Sequence, residues 1–347
     1  MQTKDKLSAA WSSSKNVDQN QKLASYTQFT TRYDSETGSI WCWMQPEPRP
    51  CINTTLIDEL SQLQQQLIDT YKSPHKDAIW SFQHLILASK TPGIYNLGGD
   101  LELFMECIVN KHEEQLRQYA HKCINLAYRN ITNLDLSISM IALVQGQALG
   151  GGFETALSCD TIIAERSSQM GFPEIMFNMF PGMGAYHLLA RRIGSSNAER
   201  IILSGETYSA GQLYEMGIID ILAEDGKGVQ VTEDYMKSHN QSHNTIRNIK
   251  KIRQVIHPIT RQSLYDVVDL WVTAAMNMTR KDLSKMQRLL HLQKDFKDSK
   301  TIRKDDNILI PRRGEWRKIK EVKFPLTTHL GDNVLHNRRK NDSRRRA

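Results

Sequence analysis

The chain has 347 residues, of which 39% are hydrophobic and 24% charged, a composition typical of a soluble globular protein with one large domain or two smaller ones. No window approaches the roughly 18 apolar residues of a membrane span, and the polar N-terminus does not resemble a secretory signal. The five cysteines lack metal-ligand spacing, which predicts reduced thiols, a cytoplasmic protein and no metal.

The formal net charge of +7 is concentrated at the C-terminal end of the chain. Residues 299–347 contain 15 Lys and Arg against 6 Asp and Glu, so the remainder of the chain is close to neutral. The tail lacks an aromatic stacking platform, which makes nucleic-acid binding the less favoured interpretation. We expect a solvated basic extension, and docking of an acidic protein is a hypothesis for it.

The first part of the chain predicts two strands separated by a helix, after a polar lead-in at residues 1–25. Residues 39–45 (SIWCWMQ) have the aromatic content of a strand, and the prolines that follow exclude helix. Leucines recur at helical spacing over 54–71 behind a threonine cap. Residues 80–89 (WSFQHLILAS) predict a buried strand that runs into the glycine-rich loop 90–100.

The middle of the chain repeats this pattern of strand, glycine-rich loop and helix. Residues 100–131 predict one long helix, and the apolar strand 137–146 leads to a second glycine loop. Alternating strands and helices predict an α/β fold with mainly parallel strands. Ligands in such folds bind at the carboxyl ends of the strands, so we expect both glycine loops to converge there.

The rest of the chain is predominantly helical. A short strand is predicted at 218–225, and successive helices run from about 231 to 294 with an interruption at His257 and Pro258. We therefore expect a core at 26–230 and a C-terminal helical part at 231–298.

The stretch from Val144 to Gly184 contains the candidate chemistry. Its three glycines, Gly150 to Gly152, let a carbonyl oxygen approach backbone N–H groups at the start of a helix. Glu154 and Glu174 follow them and provide carboxyl groups for proton transfer. The pattern predicts an oxyanion site with acid/base catalysis, whereas the alternative is that Glu154 only stabilises a helix start.

Five motifs in the correct order resemble the crotonase superfamily, also called the enoyl-CoA hydratase/isomerase family, over residues 36–294. The motifs are YNLGGDL, GQALGGGFE, GFPE, PGMG and LSGETYSAGQLYEMGIID. The resemblance implies an α/β crotonase (ClpP/crotonase) fold with repeated ββα units and a C-terminal helical region. The basic tail at 299–347 lies outside this resemblance.

Other features are similar to one subgroup, the diffusible signal factor synthases of the RpfF type. These features are WCWMQPEPRPC with Trp41 and Trp43, and Met183 in the PGMG turn. The subgroup implies dehydration of a 3-hydroxyacyl thioester on acyl carrier protein, followed by hydrolysis to a cis-2-unsaturated fatty acid signal.

The resemblance also implies roles for individual residues. It places Glu154 and Glu174 as the catalytic pair, without deciding which is the acid and which the base. The remaining assignments are backbone N–H donors of an oxyanion hole at Leu97 and Gly151, substrate-binding glycines at Gly98 and Gly150, and acyl-pocket residues at Met183, Trp271 and Leu289. For these last three, ordinary core packing is the alternative.

The implied partners are a thioester substrate on CoA or acyl carrier protein, further copies of the chain in a trimer or hexamer, and a sensor-kinase receiver domain. No cofactor is expected. Two alternative functions stay open at this point: an ordinary enoyl-CoA hydratase or isomerase, and a non-catalytic crotonase-fold protein used in regulation or RNA binding.

Overall fold

The computed structural model describes residues 24–73, 82–239 and 243–295, which form an α/β fold with mixed sheets and C-terminal helices. The strands in chain order are β1 (Phe29–Asp34), β2 (Ser39–Met44), β3 (His84–Ser89), β4 (Ile94–Asn96), β5 (Ser139–Val144), β6 (Gln147–Leu149), β7 (Thr161–Glu165), β8 (Gln169–Gly171), β9 (Thr207–Ser209) and β10 (Ile221–Ala223).

The helices in chain order are α1 (Thr54–Lys72), α2 (Leu101–Val109), α3 (Glu113–Ile131), α4 (Gly151–Leu157), α5 (Ala185–Ile193), α6 (Ser195–Ser204), α7 (Ala210–Glu215), α8 (Gly228–His239), α9 (His243–Ile256), α10 (Arg261–Met276) and α11 (Arg280–Asp295). Short 3₁₀ segments lie at Asn133–Asp135 and Pro173–Phe177.

The larger sheet has the strand order β1-β2-β3-β5-β7-β10. Only β1 pairs antiparallel with its neighbour, and the other neighbours are parallel. Its central strands β3 and β5 are buried along their whole length, which explains why their sequences are nearly continuous apolar runs. The predicted α/β class with mainly parallel strands is confirmed.

The smaller sheet determines where the candidate site forms. Its order is β4-β6-β8-β9, and the pairs β4–β6 and β6–β8 are parallel. Parallel strands end at the same edge, so the segments that follow them leave the sheet side by side. These segments are Leu97–Gly99, Gly150–Gly152 and Phe172–Glu174.

Three details of the chain differ from the predicted elements. The helix predicted over 100–131 is two helices, because the chain turns between α2 and α3 and Lys111 there has a φ of +59°. The loop predicted at 90–100 contains strand β4, which is too short to show a periodic pattern. The sequence reading also missed β1, which pairs with β2 at the edge of the larger sheet, and the strands β6 to β9.

The two tryptophans of the subgroup pattern belong to the packing of the larger sheet. Trp41 and Trp43 stack with ring centroids 5.2 Å apart. Trp41 is fully buried in a small apolar cluster with Ile141, Ile163 and Met236 of α8. This cluster is separate from the main apolar core.

Helices α10 and α11 are held to the α/β layer. Helix α10 packs on α3, where the Asp269 carboxylate binds Arg117 at 2.5 Å and the His121 ring at 2.8 Å. Helix α11 contacts both α2 and the 3₁₀ segment Pro173–Phe177. Because α2 follows the first glycine loop and the 3₁₀ segment carries Glu174, α11 is placed beside the candidate site.

Within the described ranges, no helix has the length and apolar character that a membrane span requires. The predicted basic tail at 299–347 and nearly all of the predicted lead-in at 1–25 lie outside the described residues.

Candidate active site

The two glycine loops meet at Gly98 and Gly151. A Cβ atom on Gly98 would lie 3.1 Å from the Gly151 nitrogen and 2.7 Å from the Leu149 oxygen, and the φ of Gly98 is +90°. Any side chain at position 98 would therefore clash with the second loop and strain the backbone. Because Gly151 is the first residue of α4, its N–H has no acceptor within the helix. The predicted convergence of the loops is present in the fold.

The hydrogen bonds of the first loop show which of its N–H groups are engaged. The N–H of Leu97 donates to the Pro50 oxygen at 2.8 Å, and that of Gly98 donates to Asn96 Oδ1 at 2.8 Å. The Gly98 oxygen accepts the N–H of Ile52 at 2.7 Å. In a trans peptide the next N–H, on Gly99, points the opposite way from that oxygen.

The N–H of Gly99 therefore points away from Ile52, and the Gly99 nitrogen lies 3.4 Å from where a Cβ on Gly151 would be. No acceptor for it is found among the described residues. The N–H of Leu97, predicted to be an oxyanion donor, is already bonded to Pro50 in this conformation. The assignment of Leu97 to the oxyanion hole stays a prediction.

Glu154 is fully buried on α4 and is held by the PGMG turn. Its Oε1 accepts the N–H of Met183 at 2.7 Å and the N–H of Ala185 at 3.0 Å. Ala185 is the first residue of α5, so the carboxylate also lies at the positive end of that helix. The φ of +106° at Gly184 allows both N–H groups to turn toward one oxygen.

Glu174 is placed by the 3₁₀ segment that begins at Pro173. Its carboxyl group lies against Gly150, where a Cβ would overlap Oε1 and come within 3.3 Å of Cδ. The other oxygen, Oε2, is buried and has no hydrogen-bond partner among the described residues. In this site the Glu154 carboxylate therefore has two backbone N–H donors, whereas Oε2 of Glu174 has none among the described residues.

This difference in surroundings separates the acidities of the two groups. Burial raises the pKa of Glu154 to about 7, opposed by the N–H groups of Ala185 and Met183. Burial, with added repulsion from Glu154, raises the pKa of Glu174 to about 8. The two backbone donors lower the proton affinity of Glu154 relative to Glu174, so Glu174 is the member of the pair that keeps its proton to higher pH.

Apolar side chains form a wall beside Gly151. The Met183 sulfur lies 3.0 Å from where a Cβ on Gly151 would be. The ring of Trp271 packs on Gly182 at the PGMG turn and makes an edge contact with Phe104, with ring centroids 5.0 Å apart. The structure therefore brings Met183 to the predicted site. Trp271 lies against the neighbouring Gly182.

Leu289 lies on α11 and is buried in the same core as Trp271. No contact places its side chain beside Gly151, so its predicted pocket role stays a prediction. The sequence reading missed Ile52 and Gln293, which contact the first glycine loop. No spacing rule identifies them, because they reach the loop from segments that are distant in the sequence.

Together these groups can perform acid/base chemistry on a compound that contains a carbonyl group. Backbone N–H groups at Gly99 and Gly151 can stabilise negative charge on a carbonyl oxygen. Two carboxyl groups with separated pKa values can move one proton to a substrate and remove another from it. The described residues contain no group of three or more His, Cys, Asp or Glu side chains able to hold a metal ion.

Comparisons with known proteins agree with this geometry. A family model described as enoyl-CoA hydratase/isomerase matches residues 44–295. An enoyl-CoA isomerase/hydratase of Mycosarcoma maydis is 32% identical over 180 residues, covering 52% of this chain and 62% of that protein. The mitochondrial methylglutaconyl-CoA hydratase of Mus musculus is 30% identical over 172 residues, covering 50% of this chain and 51% of that protein.

The chain thus matches less than two thirds of the length of these two relatives. Among solved structures, an enoyl-CoA hydratase from Bacillus halodurans superimposes with a TM-score of 0.64 at 19% identity. The match covers 76% of this chain and 100% of that structure. At this identity the structural match shows a shared fold.

Proposed function

The chain belongs to the enoyl-CoA hydratase/isomerase family, and from this premise we propose that it catalyses the reversible addition of water to a 2-enoyl thioester. One observation carries the proposal. The carboxyl groups of Glu154 and Glu174 flank a glycine loop whose helix-starting N–H has no acceptor within its helix, and their enclosure raises the pKa of both.

The oxyanion hole in this proposal consists of the N–H groups of Gly151 and Gly99. The thioester carbonyl binds between them, and the N–H groups stabilise the enolate oxygen that forms during the reaction. Losing one such donor raises the barrier by about 3–4 kcal/mol in other enzymes. If the Pro50 oxygen released Leu97 on substrate binding, the N–H of Leu97 would be the competing candidate.

Each carboxyl group takes a separate role in the hydration direction. Glu154, ionised and held at one oxygen by Met183 and Ala185, removes a proton from water as the water oxygen bonds to C3. The electron pair of the C2–C3 double bond moves to the carbonyl oxygen, and Glu174 donates its proton to C2. Dehydration follows the same path in reverse, with Glu174 removing the C2 proton and Glu154 protonating the departing hydroxyl.

The acyl chain is proposed to lie along the apolar wall of Met183 and Trp271. The proposal includes CoA and acyl carrier protein as carriers, because the residues assigned here would surround the thioester and the acyl chain, which both carriers share.

A second candidate is the synthesis of a cis-2-unsaturated fatty acid signal by dehydration and subsequent thioester hydrolysis. It is supported by the resemblance to diffusible signal factor synthases and by the position of Met183, whose sulfur contacts the glycine that would hold the carbonyl. Trp41 and Trp43 pack in the small apolar cluster with α8. They therefore support the resemblance but do not line the site. The receiver-domain partner belongs to this candidate, the homo-oligomer follows from the resemblance to the family as a whole, and both stay predictions.

One experiment separates the candidates. The purified protein is incubated with crotonyl-CoA, with 3-hydroxydodecanoyl-CoA and with 3-hydroxydodecanoyl acyl carrier protein, and the products are identified by mass spectrometry. Intact thioesters that differ by one water support the hydratase, and free cis-2-dodecenoic acid supports the signal synthase. No product from any of the three substrates would refute both and favour a non-catalytic role.

A further inference from the structure

Helix α11 reaches the first glycine loop through one polar side chain. Gln293 is 7% exposed, and its Nε2 donates to the Leu97 oxygen at 3.0 Å. This is a contact between residues 196 positions apart in the chain, made by the C-terminal helix to the segment that precedes Gly98 and Gly99.

Gln293 bonds to one side of the peptide group between Leu97 and Gly98, and the Asn96 side chain bonds to its other side. The Leu97 oxygen and the Gly98 N–H belong to the same planar unit. Asn96 Oδ1 accepts that N–H at 2.8 Å, so the unit has a partner at each end. The next peptide, which carries the Gly99 N–H, is held separately by the hydrogen bond from the Ile52 N–H to the Gly98 oxygen at 2.7 Å.

The other atom of the Gln293 amide has no such partner. Its Oε1 is buried and accepts no hydrogen bond within the part of the chain that the structure describes. A buried amide oxygen that loses its hydrogen bonds to water destabilises the fold unless a donor replaces them. An acceptor left open beside a ligand loop is therefore suited to a donor that the ligand brings.

The chemistry of a thioester substrate restricts which donor that is. Under the proposed function, the attacking water, or the 3-hydroxyl in the reverse direction, already donates its hydrogen bond to Glu154. The remaining donor near the thioester is the amide N–H that follows the S–CH₂–CH₂ link in the pantetheine arm. That arm is common to CoA and to acyl carrier protein.

We propose that Gln293 is a specificity-determining residue whose Oε1 accepts this amide N–H while its Nε2 is anchored on the Leu97 oxygen. The inference rests on the proposed function, since it assumes that a thioester carbonyl binds at Gly151. It assigns α11 the task of recognising the carrier arm, while α10 contributes Trp271 to the apolar wall.

The test uses two substrates that differ at one atom. One is the crotonyl thioester of N-acetylcysteamine, and the other is the crotonyl thioester of 2-mercaptoethyl acetate, in which oxygen replaces the amide N–H. Wild type is expected to prefer the amide substrate by about threefold to tenfold in kcat/KM, the range of one neutral hydrogen bond. Gln293→Met is expected to lose this preference. If wild type shows no preference between the two substrates, the proposal is overturned.

A matched control separates recognition from packing. Gln287 lies on the exposed face of the same helix, so Gln287→Met is expected to keep the preference of wild type. Melting temperatures establish that each variant is folded. A folded Gln293→Met that still prefers the amide substrate contradicts the proposal, even if its overall activity is lower.

Binding measured without turnover distinguishes this proposal from the proposed function. Glu154→Gln is titrated by calorimetry with the S-butyl thioethers of the same two carriers, which cannot react. A preference for the amide thioether that Gln293→Met removes supports the role of Gln293, even if wild type hydrates no enoyl thioester. Equal affinity for both thioethers refutes that role, even if hydration is observed.

Discussion

The N–H of Ala185 donates to Glu154 Oε1 at 3.0 Å and joins the start of helix α5 to the carboxylate on α4. Met183 adds a second N–H to the same oxygen at 2.7 Å. Because Glu174 has no comparable donors at Oε2, the two carboxyl groups in one site differ in proton affinity. The PGMG turn therefore lowers the proton affinity of the carboxylate that it holds and also places its methionine beside Gly151.

Replacing either carboxyl group by its amide is expected to remove activity without unfolding the protein. Glu154→Gln loses the base and Glu174→Gln loses the acid, so each is expected to lower kcat for crotonyl-CoA hydration by more than about 100-fold. Glu199→Gln, on the exposed face of α6, is the control and is expected to keep wild-type kcat. An active Glu154 or Glu174 variant would exclude the role proposed for that residue.

The pH profile of kcat/KM is expected to be bell-shaped and narrow. Below about 7 the carboxylate of Glu154 becomes protonated and the base is lost, and above about 8 Glu174 loses the proton it donates. The two limbs belong to the interacting pair. Initial rates at subsaturating crotonyl-CoA between pH 5 and 10 test this, and a rate that stays flat from pH 5 to 10 contradicts it.

A methyl group at Gly150 is expected to displace the carboxyl group of Glu174. The φ of Gly150 is +50°, and its Cβ would overlap Glu174 Oε1. Gly194 also has a positive φ, +78°, but a Cβ there meets nothing within 4 Å. Both alanine variants are expected to lose about 1–2 kcal/mol of stability from backbone strain.

Only Gly150→Ala is expected to lose kcat in addition. Thermal unfolding and crotonyl-CoA kinetics on both variants separate the two effects. Equal kcat in Gly150→Ala and Gly194→Ala would show that Glu174 tolerates the displacement.

The ion pair between Arg49 and Asp100 is expected to be important for the stability of the first glycine loop. Arg49 is 8% exposed and its guanidinium lies 2.6 Å from the Asp100 carboxylate, which also caps α2. Arg49→Met leaves that carboxylate without its partner and is expected to cost about 3 kcal/mol of unfolding free energy.

The exposed pair of Lys122 and Asp58, 2.8 Å apart, provides the comparison. Lys122→Met is expected to cost less than about 1 kcal/mol, because solvent screens this pair. Denaturant unfolding measures both variants. Similar losses in the two would show that burial of the Arg49 pair has no energetic consequence.

The stability of the protein is expected to depend on Glu174 at alkaline pH. The pKa of Glu174 is raised from 4.5 to about 8 in the folded state, so the folded protein holds this proton more tightly than the unfolded chain. Its stabilising contribution is present below about pH 4.5 and is lost as pH rises through about 8. Glu174→Gln, which stays neutral, is expected to be more stable than wild type at pH 9 by on the order of 1–3 kcal/mol.

Denaturant unfolding at pH 5 and pH 9 provides the measurement. The difference in stability between Glu174→Gln and wild type is expected to grow from the lower to the higher pH. A difference independent of pH would indicate that Glu174 does not titrate in this range in the folded protein.

Local sequence predicted some of the elements around the site, but not the short strands β4, β6 and β8. The apolar run of β5, the glycines after it and the helix at Glu154 each have a pattern that neighbouring residues complete. Other features were missed because no pattern in the neighbouring residues signals them. Strand β4 has three residues, the break between α2 and α3 depends on how they pack, and Gln293 acts 196 residues from its partner.

The sequence by itself determined the fold class, the two glycine loops and the identity of the carboxyl pair, because these depend on residue type and local spacing. Only the tertiary structure separated the proton affinities of Glu154 and Glu174, since Ala185 and Met183 reach one carboxylate and not the other. It also showed that the N–H of Leu97 is bonded to Pro50, whereas that of Gly99 has no acceptor among the described residues. Hydrogen bonds between distant segments made these distinctions, and no local pattern encodes them.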